Sequence, residues 1–139
     1  MVKYVQNQPS LIEKIIAGLS YITLGTVGFI WLIIGIFTKN TLKPYLQYHI
    51  FQSIFLAIGY FLLSHLLGMV MNILSMIPFV GGLIMGITYY LNMPLIFEYS
   101  LIQMVCYTII AYLVVTSAQG QFSYIPWVSE IIKANVRNS

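Results

Sequence analysis

The feature that most constrains this chain is its first apolar run, residues 15–37, which carries no charged side chain. About 20 mostly apolar residues suffice for a helix to cross a bilayer. The rest of the chain is similar: 60% of the 139 residues are hydrophobic and 6% are charged, against roughly 25% charged in soluble domains. The sequence therefore predicts an integral membrane protein.

The apolar runs predict an all-α fold, a four-transmembrane-helix bundle forming a single membrane domain over residues 1–139. Pro78 and the Gly81-Gly82 pair disfavour one straight helix, so we expect a short interfacial or kinked segment before the third span. Ser10 followed by Glu13 is a capping-box pattern before the first helix. The predicted spans are residues 15–37, 45–68, 79–91 and 95–117, followed by a polar tail, 118–139.

Basic residues predict the orientation. Four spans place both termini on one side, with Lys3, Lys14, Lys133 and Arg137, and place Lys39 and Lys43 on the other. Lysine and arginine favour the cytoplasmic side, so we expect both termini on the cytoplasmic-type face. A three-span count would reverse this orientation.

Two sets of glycines predict close helix packing, because glycine lets helix backbones approach each other. Those of the first span share about a third of the helix circumference, and the other two form a GxxxG pattern in the third span. An alternative role for the first set is a face that moves in gating. The helix-packing glycines are Gly18, Gly25, Gly28, Gly35, Gly82 and Gly86.

The second span opens with the polar stretch "YLQYHIFQSIF", residues 45–55. On a helix, His49, Gln52, Ser53, Tyr60 and Ser64 share one broad face. An unpaired polar group in hydrocarbon costs several kcal/mol, so we expect this face to point away from lipid. It would serve either as a helix-packing face or as the lining of a pore.

Glu98 is the acidic residue predicted closest to a span, in the first turn of the fourth helix. Four spans would bring it near Lys39 and Lys43, which predicts an interfacial ion pair. The alternative is a gating or proton-sensing carboxylate.

Enzymatic chemistry has little support in the sequence. There are two histidines, three carboxylates and one cysteine, Cys106, and no GxSxG, HExxH or P-loop pattern occurs. We predict no catalytic residues, no cofactor and no metal site. The basic residues are scattered, so we also predict no nucleic-acid partner.

Three segments together resemble one known family. They are "KIIAGLSYI" (Lys14 to Ile22), "YHIFQSIFLAI" with His49 and Gln52, and "GQFSYIPWVSEII" (Gly120 to Ile132). In this order they are similar to the first-span entry, second-span opening and closing signature of the twenty-kilodalton Tic family. That family comprises a plastid inner-envelope import protein and its cyanobacterial and other bacterial relatives.

The resemblance implies a four-helix channel or channel-associated subunit of a preprotein import translocon, with both termini stromal or cytoplasmic. Its partners would be the lipid bilayer, other translocon subunits, the transiting preprotein and, because four helices are too few for a polypeptide-wide pore, further copies of itself. The sequence shows no transit peptide, which favours a plastid-encoded copy or a bacterial plasma-membrane relative. The alternatives are a small-solute or ion carrier and a structural or assembly protein of a bacterial plasma membrane.

Overall fold

The computed structural model describes residues 8–39 and 41–136, and these are predominantly helical, which confirms the all-α prediction. A short antiparallel strand pair joins the fourth and fifth helices. The elements are α1 (Leu11–Ile22), α2 (Thr26–Thr38), α3 (Pro44–Ser75), α4 (Val80–Asn92), β1 (Pro94–Ile96), β2 (Tyr99–Ser100), α5 (Leu101–Ala118) and α6 (Val128–Val136).

The described chain divides into two compact units. The first comprises the described residues up to Ala57 together with those from Tyr112 onward, and the second is Ile58–Ala111. The long helices α3 and α5 each contribute to both units. The first unit holds the hydrophobic core, in which Ile16 and Ala17 of α1 pack with Leu46 and Ile50 of α3.

The predicted uninterrupted first span is wrong, because the chain turns between α1 and α2. Leu24 and Gly25 adopt positive φ angles of 51° and 85°, and the Gly25 N–H donates to the Ser20 carbonyl at 2.6 Å. The left-handed conformation is inexpensive only for glycine. Gly25 therefore ends one helix and allows a second to start, as well as serving close packing.

This turn sends α2 back toward the end of the unit where α1 began. Lys43, just before α3, lies 3.0 Å from Glu13 in the first turn of α1. The predicted placement of Lys14 and Lys43 on opposite sides is therefore wrong, because the α1–α2 hairpin returns the chain to its starting level. Lys3 and Arg137, which entered that prediction, lie outside the described residues.

The predicted number of membrane-spanning helices, four, is also too high. Within the described residues, two helices are long and apolar enough to cross a membrane, α3 and α5. The predicted third span corresponds to α4, of 13 residues, after a break around Pro78. The predicted fourth span corresponds to α5, which begins at Leu101 instead of residue 95. Residues 94–100 form β1, β2 and a turn with positive φ at Phe97 and Glu98.

The glycines of the predicted first span lie on two helices and in the turn between them, and Gly25 and Gly28 are the tightly packed ones among them. A Cβ on Gly18 would lie 3.6 Å from Ser117 Oγ, and one on Gly28 would lie 2.8 Å from Ser20 Oγ. A Cβ on Gly35 would lie 3.4 Å from Leu42. By contrast, Gly82 and Gly86 have nothing within 4 Å of that position among the described residues.

Replacing Gly25 with alanine should destabilise the fold. The methyl group would sit 3.0 Å from the Ile54 backbone at a φ of 85°, so strain and overpacking add. We expect Gly25→Ala to lower the free energy of unfolding by about 2–4 kcal/mol, measured by denaturation in detergent micelles. Gly82→Ala, in open space on α4, is the matched control and should be neutral or stabilising. Equal losses in the two variants would contradict the role of Gly25.

Candidate functional site: a buried polar cluster

Polar side chains from three parts of the sequence meet inside the first unit. All are almost fully buried, with exposed fractions of 3% or less. This polar cluster consists of Tyr21 from α1, Tyr48, His49 and Gln52 from α3, and Ser123 and Ser129 from the C-terminal segment.

The centre of the polar cluster is the Tyr21 hydroxyl. Its oxygen lies 2.7 Å from His49 Nδ1 and 2.7 Å from Gln52 Oε1. Ser123 Oγ donates to the same Gln52 oxygen at 2.6 Å. These are hydrogen-bonding distances, and the one hydrogen of the Tyr21 hydroxyl is shared between its two neighbours. α1, α3 and the C-terminal segment are therefore joined at one point.

The surroundings of His49 define its tautomer. Nε2 lies 3.1 Å from the Gln121 carbonyl, which can only accept, so Nε2 carries the hydrogen. Nδ1 and Gln52 Oε1 then lie on either side of the Tyr21 hydroxyl, whose single hydrogen they share. The Phe122 ring stacks on the imidazole, with 6.2 Å between centroids and 6° between planes. Both nitrogens are within hydrogen-bonding distance of a partner and the ring is fully buried, so His49 is an integral part of the polar cluster.

The C-terminal segment is held by the amide group of Gln52. Its Nε2 donates to Ser129 Oγ at 3.2 Å and to the Ser123 carbonyl at 3.4 Å. The Tyr48 hydroxyl donates to the same carbonyl at 2.6 Å. Ser129 also accepts from the Ile125 N–H at 2.7 Å, which ties the start of α6 to the loop before it.

The polar cluster is fully satisfied. No buried side-chain nitrogen or oxygen in the described part of the chain lacks a hydrogen-bond partner. A buried polar group without a partner costs about 1–3 kcal/mol. Removing any one of the three segments would leave polar groups of the other two without partners, so the three stabilise one another. The arrangement can fasten the C-terminal segment and α1 to α3.

The residues of the predicted polar face of the second span lie in two different environments, part of them buried in the first unit and part exposed in the second. His49 and Gln52 join the polar cluster, and Ser53 is buried but donates to the Ile50 carbonyl of its own helix at 2.8 Å. Tyr60 and Ser64 belong to the second unit and are exposed, with Tyr60 59% accessible. The Ser64 hydroxyl donates to the Phe61 carbonyl.

Sequence reasoning did not single out Tyr21, Tyr48, Ser123 or Ser129 as site residues. All of them lie within the segments quoted for the family resemblance. Their position within these segments was the one sequence feature that pointed to them. Their spacing along the chain does not reveal that they meet.

The ion pair also differs from the prediction. Glu13 Oε1 lies 3.0 Å from Lys43 Nζ, and Glu13 Oε2 accepts from the Ser10 N–H at 2.7 Å in a complete capping box. The predicted partner of Lys43 was Glu98, which is exposed in the turn before β2 and precedes α5 instead of lying in its first turn. Lys39 is exposed at the end of α2.

Other candidate chemistry is sparse in the part of the chain that the structure describes. No group of three or more His, Cys, Asp or Glu side chains could hold a metal ion there. Cys106 is a free, partly buried thiol. Comparisons of the chain with protein-family models, curated proteins and solved structures gave no match.

Removing the Tyr21 hydroxyl should destabilise the first unit. Tyr21→Phe removes the hydroxyl that both His49 Nδ1 and Gln52 Oε1 contact, and we expect a loss of about 1–3 kcal/mol in the free energy of unfolding. Tyr60→Phe makes the same chemical change at an exposed tyrosine and serves as the control, with little expected effect. Denaturation in detergent micelles measures both. An unaffected Tyr21→Phe variant would show that the polar cluster contributes nothing to stability.

The Glu13 carboxylate should make stability depend on acid pH. Partial burial raises the pKa of Glu13, but the hydrogen bond from the Ser10 backbone, with the Lys43 ammonium, outweighs it and lowers the pKa below its ordinary value of 4.5. A carboxylate whose pKa is lowered in the folded state contributes stability at pH values above its unfolded pKa. That contribution is lost as the pH falls through the folded pKa. Between pH 7 and 3 the wild type should therefore lose more stability than Glu13→Gln. Parallel pH profiles of the two proteins would exclude this contribution.

Proposed function

We propose that this chain is a non-enzymatic, membrane-spanning subunit of a preprotein import translocon. The observation that carries the proposal is the convergence of the three segments that resemble the twenty-kilodalton Tic family. Tyr21, the His49–Gln52 pair and the Ser123–Ser129 pair come from those segments in turn and form one hydrogen-bonded cluster. Because side chains of the three segments bind one another, the three motifs form one structural unit, which supports the resemblance as a whole.

Membrane insertion is supported by the surface of the long helices. The most apolar window of α3 is 0% buried within the chain and that of α5 is 11% buried. In the second unit, the described residues that are buried are Gly81 and Ser100. Apolar surface of this extent is unfavourable in water, whereas hydrocarbon covers it at no cost.

The distribution of lysines supports an orientation. Glu13 and Lys43 form an ion pair, and the Tyr45 hydroxyl donates to the Ser117 carbonyl, so the start of α1, the start of α3 and the end of α5 share one end of the first unit. Lys14 lies at this end as well. By the positive-inside tendency, this end faces the stroma or cytoplasm, in a plastid inner envelope or a bacterial plasma membrane.

Tyr60 supports a protein partner within the membrane. It lies midway along the 32 residues of α3, and its hydroxyl has no hydrogen-bond partner among the described residues. At such a depth an unpaired polar group costs several kcal/mol. The partner of the Tyr60 face is another translocon subunit, a second copy of the chain or the passenger polypeptide. Two spanning helices cannot enclose a polypeptide, so the pore is lined jointly.

Site-specific photo-cross-linking in native membranes tests this function. A photoreactive phenylalanine derivative replaces Tyr60 in one variant and Leu62 in the other, while a preprotein is arrested in transit. The two positions are similarly exposed, 59% and 56%, but point to nearly opposite sides of α3. We expect position 60 to cross-link the preprotein or translocon subunits and position 62 to yield mainly lipid adducts.

Two other results would argue against the proposal. Lipid adducts alone at both positions would remove the protein partner. Cross-links at position 60 to proteins unrelated to import, with no preprotein in any of them, would favour the structural or assembly role instead.

A further inference from the structure

A groove opens on the surface of the first unit where α2 ends and α3 begins. It has a volume of about 490 Å³ and is lined mainly by apolar side chains, including Ile36 of α2, Leu42 just before α3 and Phe51 of α3. Lys39 stands at its margin with Thr41. The groove therefore combines an apolar floor with a cationic edge.

The charge at this edge is not neutralised by a carboxylate of the described residues. Lys43, four positions away, is paired with Glu13, whereas Lys39 is exposed and takes part in no described ion pair. Among the described residues, the groove thus presents one ammonium group without a carboxylate partner. A neutral occupant would leave this charge without a partner, and a zwitterionic lipid would bring a second cation together with its phosphate, whereas an anionic lipid neutralises the charge.

The groove also lies at the level where a membrane changes from apolar to polar. α2 is apolar through Phe37 and then ends at Thr38, and the next residue is Lys39. Lysine side chains at helix ends extend toward lipid headgroups while their neighbours remain in the hydrocarbon. A phosphate near Lys39 and an acyl chain along the floor are therefore the complementary chemistry.

We propose that this groove binds one anionic phospholipid of the bilayer. The headgroup phosphate pairs with Lys39 and accepts a hydrogen bond from the Thr41 hydroxyl, while an acyl chain lies along Ile36, Leu42 and Phe51. The bound lipid neutralises the ammonium group and covers the apolar floor. This inference rests on the membrane insertion in the proposed function, but it does not depend on a role in preprotein import.

The test uses the purified full-length chain with phosphatidylglycerol as the anionic probe and phosphatidylcholine as the zwitterionic comparison. Lipid binding to the detergent-solubilised protein is measured by native mass spectrometry, and bilayer insertion by flotation of reconstituted vesicles. We expect phosphatidylglycerol to bind preferentially, and Lys39→Gln to weaken its binding about fivefold. Lys133→Gln removes the same charge at a position of α6 that does not line the groove, although Asn135 and Val136 of that helix do, and it should leave binding unchanged.

A second variant tests the apolar part of the site without removing charge. Ile36 is 68% exposed, so Ile36→Trp should fold normally while obstructing the groove, and it should reduce phosphatidylglycerol binding. Insertion without a preference for phosphatidylglycerol, or equal effects of Lys39→Gln and Lys133→Gln, would overturn the lipid site and leave the proposed function intact. Failure of the chain to float with vesicles would overturn both.

Discussion

The hydrogen bonds around the Gln52 amide are the interaction on which the first unit depends. Its oxygen meets the Tyr21 and Ser123 hydroxyls, and its nitrogen meets Ser129. Hydrogen bonds in an interior of low dielectric are strong when satisfied and costly when broken. One side chain of α3 thus holds both the N-terminal helix and the C-terminal segment, although these are about a hundred residues apart along the chain.

The reversal at Gly25 determines the path of the chain between α1 and α3. Tyr21 lies in the last turn of α1, just before the reversal, and its ring meets His49 edge to face. The same reversal returns the chain to the level of Glu13, where Lys43 neutralises the carboxylate before α3 starts. It also leaves Lys39 at the margin of an apolar groove. A single left-handed turn therefore arranges the core, the ion pair and the groove.

The two units of the chain differ in which side chains they bury and which they expose. The first buries polar side chains and satisfies every one of them that the structure describes. The second exposes long apolar side chains along α3, α4 and α5, with the Tyr60 hydroxyl among them. Hydrocarbon accommodates the apolar side chains but offers no partner to a hydroxyl. This difference is the physical basis for proposing that the second unit meets both lipid and another protein within the membrane.

The sequence by itself determined the helical class, the inward preference of His49 and Gln52, and the close packing of two of the first glycines, Gly25 and Gly28, because composition and helical periodicity are local properties. The tertiary structure alone decided that Gly25 breaks a helix, that Tyr21, Ser123 and Ser129 are the partners of Gln52, and that Glu13 pairs with Lys43. A glycine serves packing and chain reversal equally well, so its identity does not distinguish them. Hydrogen-bond and ion-pair partners distant in sequence are selected only when the chain has folded and brought them together.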